Sequence, residues 1–352
     1  MTHLEIARER LYNQCISGPK FKRPVDIVRY MGAIQAQDYA GAKWALGLRL
    51  QKSSDAAIDK ALAKGSIIRT HVLRPTWHFI VPADAKWMIE LTAPRINAFN
   101  ASMYRQLQLD STVFANSNDA LAKALEGGKQ LNRAAMMQAL QQAGVATNDL
   151  RFIHLLMRAE LDMVICSGGR EGKQFTYALF DDRVPAGNTL PKEEALAELA
   201  KRYFMSHGPA TIQDFTWWSG LSGIDARKGL EMVKSELINT NIDSRAYWMG
   251  RHQAEVRGKA PIAHLLPAFD EFAVAYKDRT AAVNPKYLKQ ALHVIFNPSI
   301  IVNSQVVSTW QRTIHKNIVD ITLNPFGKLN KIHEKAVEAA AERYRKFLRQ
   351  GN

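Results

Sequence analysis

Two glutamines one residue apart interrupt an apolar run, Met31-Gly32-Ala33-Ile34-Gln35-Ala36-Gln37-Asp38-Tyr39-Ala40-Gly41. Each amide offers a carbonyl acceptor and two N–H donors, and carries no charge near neutrality. On a helix, positions i and i+2 diverge; in extended backbone they share a side. Gln35 and Gln37 converge on one target only if the helix opened by Pro24, with Ile27, Met31 and Ile34 at helical spacing, ends before Gln37. Ala36 and Asp38 then face the other way. So arranged, the pair can hold a water, a base edge or an amide ligand. The alternative is a helix C-terminus with solvated polar side chains. Gly41 marks the expected break.

A second cluster is Arg69-Thr70-His71-Val72-Leu73-Arg74-Pro75-Thr76-Trp77-His78. Arginine reaches phosphates or enters a groove, and an aromatic ring stacks on a base. Trp77 alone reads as core. Arg69, Arg74, His71 and His78 fit a nucleic-acid contact and a solvated face equally well. His71 and His78 lie across a turn with no third ligand at matching spacing, so no metal site is expected. Asp270-Glu271 would point to opposite faces of a strand, and capping or a salt bridge with Arg279 is their expected use. The chain has no phosphate-binding loop, dinucleotide fingerprint or nucleophile elbow, and no cofactor is expected.

The elements that must position these residues follow a recurring order. Helices are expected over 3–16, 24–35, 41–50 and 55–64, then two strands, 67–74 and 76–81, closed near Pro75. Several helices followed by a hairpin is the order of a winged helix. A long helix over 83–107 and a polar, loop-like stretch over 110–120 lead to a second round. It has helices over 131–140 and 150–161, and strand-like 163–166 and 174–179 around the basic, glycine-rich turn Gly168–Lys173. A third round has helices over 193–206, 212–219 and 225–237 and a strand over 242–249. Beyond about residue 260 come strands over 294–296, 300–303 and 306–311 and a basic helix over 334–349. The fold class read from this order is α+β, mostly helical: about three tandem winged helix-turn-helix units with a C-terminal mixed α/β segment. The divisions are 1–108, carrying the glutamines and the hairpin, then 109–190, 191–255 and 256–352.

Composition names the partner class. The chain has 352 residues, 47 Lys+Arg against 33 Asp+Glu, and a formal charge of +14. Its pI is near 9.7. An excess of that size concerns partners and not fold, and the usual polyanions are nucleic acid and anionic membrane. No apolar run reaches membrane-spanning length, and the N-terminus has no secretory pattern. Cys15 and Cys166 are too few for a disulfide scaffold and lack metal-ligand spacing. A reducing, cytoplasmic setting fits, with the protein associated with the nucleoid.

Four blocks carry a family resemblance. Gln35-Ala36-Gln37 resembles the Gln-apolar-Gln motif of the AlkZ-type DNA glycosylases, within the YcaQ-like family of winged-helix DNA-binding proteins. His71, Arg74, Thr76 and His78 match that family's His-x-x-Arg-x-Thr-x-His stretch. Leu265–Glu271 with Tyr276–Arg279 resembles its Leu-Leu-Pro-x-Phe-Asp-Glu and Tyr-Lys-Asp-Arg blocks, and 297–312, with Trp310, its late strand pair. The YcaQ-type branch has Asp where this chain has Gln37, so the resemblance places the chain in the two-glutamine group. It implies a basic concave surface for duplex DNA, formed by tandem winged helices. The implied activity is DNA repair by excision of alkylated bases, bulky or interstrand-crosslinked purine adducts included.

The implied chemistry is coherent. An N7-alkylated purine is already cationic and leaves as a neutral base without a strong general acid. The catalyst must mainly orient water, and neutral amides can do so by hydrogen bonding. Gln35 and Gln37 are therefore the expected catalytic residues. Tyr39, Lys43, Arg69, His71, Arg74, Thr76, Trp77 and His78 are the expected DNA-binding set, with Tyr39 and Trp44 able to face a cationic base, although Trp44 also reads as core. The expected partner is double-stranded DNA with alkylated bases, bound by a monomer. The competing class is a winged-helix transcriptional regulator without catalysis, since fold alone does not give function.

Overall fold

The computed structural model describes residues 1–187, 189–251, 262–315 and 318–349, so the expected division at 255/256 falls outside it. The fold is α+β, and about half of the chain is helical. Two compact units emerge. One comprises Met1–Ile58, Ala197–Trp218 and Ser222–Asn352; the other comprises Asp59–Leu196 and Ser219–Leu221.

In the first unit, the helix Pro24–Met31 begins on Pro24, whose missing N–H is needed by no helical bond at that position. It stops at Gly32, with φ 79°, a conformation that suits a residue without Cβ. Backbone is extended over Ile34–Gln35. The break thus falls earlier than Gly41, which lies in the first turn of the next helix, Tyr39–Leu48. Asp38 caps that helix by accepting from the Gly41 N–H at 3.1 Å. A Cβ on Gly41 would come within 2.5 Å of Asp38 Oδ2, so glycine lets the cap close.

Further along this unit, one expected strand over 242–249 is instead a hairpin, Leu237–Ile242 and Arg245–Gly250. It turns on Asp243 and Ser244, both at positive φ. Residues 294–296, expected as a strand, form a turn after the helix Leu288–His293. A four-stranded antiparallel sheet runs in the order Ile318–Pro325, Gln305–His315, Ser299–Val302, Ala263–Leu266. The final helix, Lys331–Arg349, packs on its Ala263–Leu266 edge. Val337, Ala340, Ala341, Tyr344 and Phe347 form the buried stripe, at the helical spacing that directs one face inward.

The second unit opens with the hairpin Ile68–Val72 and Arg74–Ile80. It turns at Leu73 (φ 64°), and Pro75 lies inside the second strand. After the helix Pro82–Gln106, the stretch expected as loop is a helix, Ser111–Leu125, capped by Asp110. Its Phe114, Ser117, Leu121 and Leu125 face inward, a periodicity masked by the polar residues between them. Leu131–Asn132, the helices Arg133–Gln142 and Arg151–Leu161, and the hairpin Ile165–Glu171/Gln174–Leu179 complete the order. The sheet pairs Leu131–Asn132 with Gln174–Leu179, which pairs in turn with Ile165–Glu171. Phe114, Leu121, Met136, Leu140, Phe152, Leu155 and Ile165 are among the side chains of one continuous core beneath it.

A buried polar network ties distant segments of the first unit together. Arg49 donates from both terminal nitrogens to Asp270, each at 2.9 Å, and neither side chain is more than 1% exposed. Arg49 also donates to Gln14 Oε1 at 2.9 Å, and Gln14 donates to the Tyr276 hydroxyl. Asp270 caps the turn Glu271–Val274 by accepting from the Phe272 N–H. The expected cap is therefore present, but the ion pair is with Arg49; Arg279 donates instead to the Ala273 carbonyl. A buried pair is costly to break from one side, because the surviving charge is left without water or partner. Asp270→Ala should therefore cost about 3–5 kcal/mol, read as a lowered denaturant midpoint by tryptophan fluorescence.

Candidate active site

Gln35 is 9% exposed, on the extended segment that follows Gly32. Its backbone N–H donates to Glu271 Oε1 at 2.7 Å. Glu271 is fully buried, and its Oε2 accepts from the Trp218 indole N–H at 3.0 Å. His207 Nε2 stands 3.5 Å from that same oxygen, a Coulombic contact rather than a good hydrogen bond. Its Nδ1 lies 2.7 Å from Ser206 Oγ, and its ring stacks on Tyr203 at 5.0 Å. Burial pushes the His207 pKa below its ordinary value, with Glu271 opposing.

Gln37, two residues on, is exposed and has no hydrogen-bond partner among the described residues. The glutamines therefore differ in kind: one is buried with its backbone anchored, and the other presents its amide to solvent. Tyr39 is half-buried at the start of its helix, with Lys43 Nζ 5.2 Å from its ring centroid. Lys43 is buried and paired with Asp55 at 2.6 Å. Trp44 is core: it is 4% exposed and donates to the Leu265 carbonyl.

In the second unit, the hairpin register sets His71 opposite Trp77 and Thr70 opposite His78. Arg69 is sandwiched, its guanidinium 4.2 Å from the Trp77 centroid and 4.8 Å from Phe175. Arg170 flanks Phe175 at 5.4 Å. Trp77 is half-buried, not core as its type alone suggests. His71 is held by Glu160, which contacts its Nδ1 and accepts from its backbone N–H at 2.9 Å. His78 is fully buried, and its Nδ1 donates to the Thr76 carbonyl at 2.9 Å. Burial, then the Arg74 charge, holds its pKa well below the ordinary value. Thr70 Oγ1, Thr76 Oγ1 and His78 Nε2 are buried without a hydrogen-bond partner among the described residues.

Glu271, Glu160 and Trp218 are the residues that sequence reasoning missed as neighbours of the predicted site. Glu271 lies in a block that the resemblance had singled out, so its position was visible but its partner was not. Glu160 and Trp218 sit within expected helices, with no local signal of what they meet.

This fold has a known counterpart. A solved structure, DNA glycosylase AlkZ from Streptomyces sahachiroi, matches with a TM-score of 0.79 at 21% identity, over 99% of this chain and 96% of that one. The two chains therefore share a fold. A family model described as "DNA glycosylase AlkZ-like" matches residues 28–347, and the chain belongs to that family. A curated relative, the interstrand DNA cross-link repair glycosylase of S. sahachiroi, is 24% identical over 343 residues, covering 90% of this chain and 88% of the relative. None of these matches favours a regulator without catalysis. Among the described residues, no helix is long and apolar enough to cross a membrane.

The buried histidines make stability depend on pH. Folding holds His78 and His207 below the ordinary value of 6.5, so near that pH the unfolded chain takes up protons that the folded chain refuses. Their contribution is complete above 6.5 and is lost as pH falls below it, by at most about 1.4 kcal/mol per pH unit for each histidine. Thermal unfolding midpoints should fall between about pH 7 and 5, and His78→Asn should flatten that slope.

Proposed function

We propose that this glycosylase is monofunctional and hydrolyses the N-glycosidic bond of cationic, N7-substituted purines in duplex DNA, bulky and interstrand-crosslink adducts among them. The observation that carries the reading is the Gln35–Gln37 segment. Its backbone is fixed on a buried carboxylate while the Gln37 amide stays open to solvent. The water oxygen bonds to C1′ as the bond to the base breaks. The bonding pair neutralises the cationic purine, and the water proton passes to solvent. Amides align the water but are too weak as bases to force out a poor leaving group, which restricts the reaction to lesions already charged.

In this reading Arg74, Trp77 and Tyr39 contact the DNA, while Arg69, buried between Trp77 and Phe175, and Thr76, whose hydroxyl is buried, support them. Buried His71, His78 and Lys43 act one layer behind, holding the contact residues in place. The order helix, short strand, two helices, hairpin over 111–179 supports a winged-helix unit there. We take the chain as about three such units, 1–108, 109–190 and 191–255, followed by a C-terminal β-rich segment and final helix over 256–352. They present a basic concave face to duplex DNA, as a monomer associated with the nucleoid. The net charge of +14 supports that electrostatic role.

The test is single-turnover base release from duplex DNA carrying N7-methylguanine. Gln35→Ala and Gln37→Ala should each slow release by about 10²-fold, the scale of a misaligned reactant, with DNA affinity nearly unchanged. Glu271→Gln should also slow release, because one of its two donors then meets an N–H instead of an oxygen. Equal rates in wild type and both glutamine variants would refute the water-positioning role. No release from this or a bulkier N7 adduct would refute the substrate class.

A further inference from the structure

A cavity of about 700 Å³ opens in the first unit, and it shares no lining residue with the Gln35–Gln37 segment or Glu271. Its apolar wall is built on Trp44 and Phe347, whose rings lie 5.1 Å apart at 53°. Phe347 reaches this position because Gly47 has no side chain; a Cβ there would come within 2.7 Å of the ring.

The polar lining is one-sided. Lys20, Lys52, Arg343 and Lys346 all border the cavity, and among the described residues no carboxylate does. Lys20 points its ammonium at the carbonyls of Cys15, Ile16 and Leu48, so its charge is fixed in place. Burial, with Arg49 and Arg343 nearby, pulls its pKa down to about 8. Like charges that depress one another's ionisation mark a place where an anion would be stabilised.

One further polar group faces the cavity. His264 is only 8% exposed, borders the cavity, and hydrogen-bonds through its ring to none of the described residues. Burial and the neighbouring cations push its pKa down to about 3, so it faces the cavity as a neutral imidazole. Ser53 also lines the cavity. The volume lies within the range of small-molecule sites.

We propose that this cavity binds a small organic anion of mononucleotide size, with an aromatic body against Trp44 and Phe347 and an anionic head at Lys52, Arg343 and Lys346. His264 then supplies a hydrogen bond to a heteroatom of the ligand. A stacked base within a duplex presents no free face to such a wall, so the occupant is a free ligand and not the DNA substrate.

The experiment is isothermal titration of the full chain with adenosine 5′-monophosphate, with adenosine and inorganic phosphate as single-feature controls. The nucleotide should bind more tightly than either control. Lys346→Glu, an exposed change at the mouth, and His264→Phe should each weaken it by about tenfold. Circular dichroism and the unfolding midpoint check that both variants fold. A second aryl anion, 8-anilinonaphthalene-1-sulfonate, binding with the same sensitivity to Lys346→Glu supports the class and widens it beyond nucleotides. No binding of either anion at millimolar concentration overturns the proposal, as does binding that both variants leave unchanged. If Lys346→Glu weakens only duplex DNA, the cations are a backbone contact and the proposal falls. None of these readouts depends on base release.

Discussion

Glu271 is a carboxylate with no access to water, and it must be satisfied by donors that the chain delivers to it. The Gln35 N–H and the Trp218 indole meet that demand from two different segments. A charged acceptor makes each of these bonds stronger than a neutral one, so the arrangement is stiff where stiffness matters. The neighbouring Arg49–Asp270 pair places a compensating positive charge whose field reaches Glu271 as well. The turn that carries Glu271 is capped by Asp270, so the ion pair that anchors the fold and the carboxylate that anchors Gln35 are adjacent in the chain. The first unit is organised around this pair of acids.

The division of labour between the glutamines follows from that constraint. The Gln35 backbone is held by a bond that any residue but proline can supply. Gln37 is exposed two residues on, and the Asp38 cap fixes where the next helix starts. On the proposed chemistry, a neutral amide and a cationic leaving group suit one another, because neither requires a strong acid or base.

Much of this was legible in the sequence, and the failures have physical causes. Pro24 and the apolar spacing mark the helix before the glutamines, and β-formers mark the hairpin at 68–80. Local sterics set both. The stop was placed at Gly41 rather than Gly32 because glycine serves close approach as well as breaks, and only the approach of Asp38 to Gly41 shows which. The helix Ser111–Leu125 was hidden by polar composition, although Phe114, Leu121 and Leu125 keep its period. The Gln35–Glu271 contact was out of reach, because residues 236 positions apart meet by tertiary packing that no local pattern records. The same holds for His71 and Glu160, 89 positions apart.

Chain connectivity gives that long separation a consequence during synthesis. The second unit is drawn mainly from the stretch Asp59–Leu196, whereas the first is assembled from segments before and after it. A ribosome releases chain from the N-terminus, and domains tend to fold as units once their residues have emerged. Most of the second unit is therefore available while Gln35 still lacks Glu271, Trp218 and the strands beyond residue 262. The nascent chain carries Gln35 well before the carboxylate that seats its backbone, 236 positions further on, has been made. A chain cut short of Glu271 leaves the Gln35 N–H without its buried acceptor.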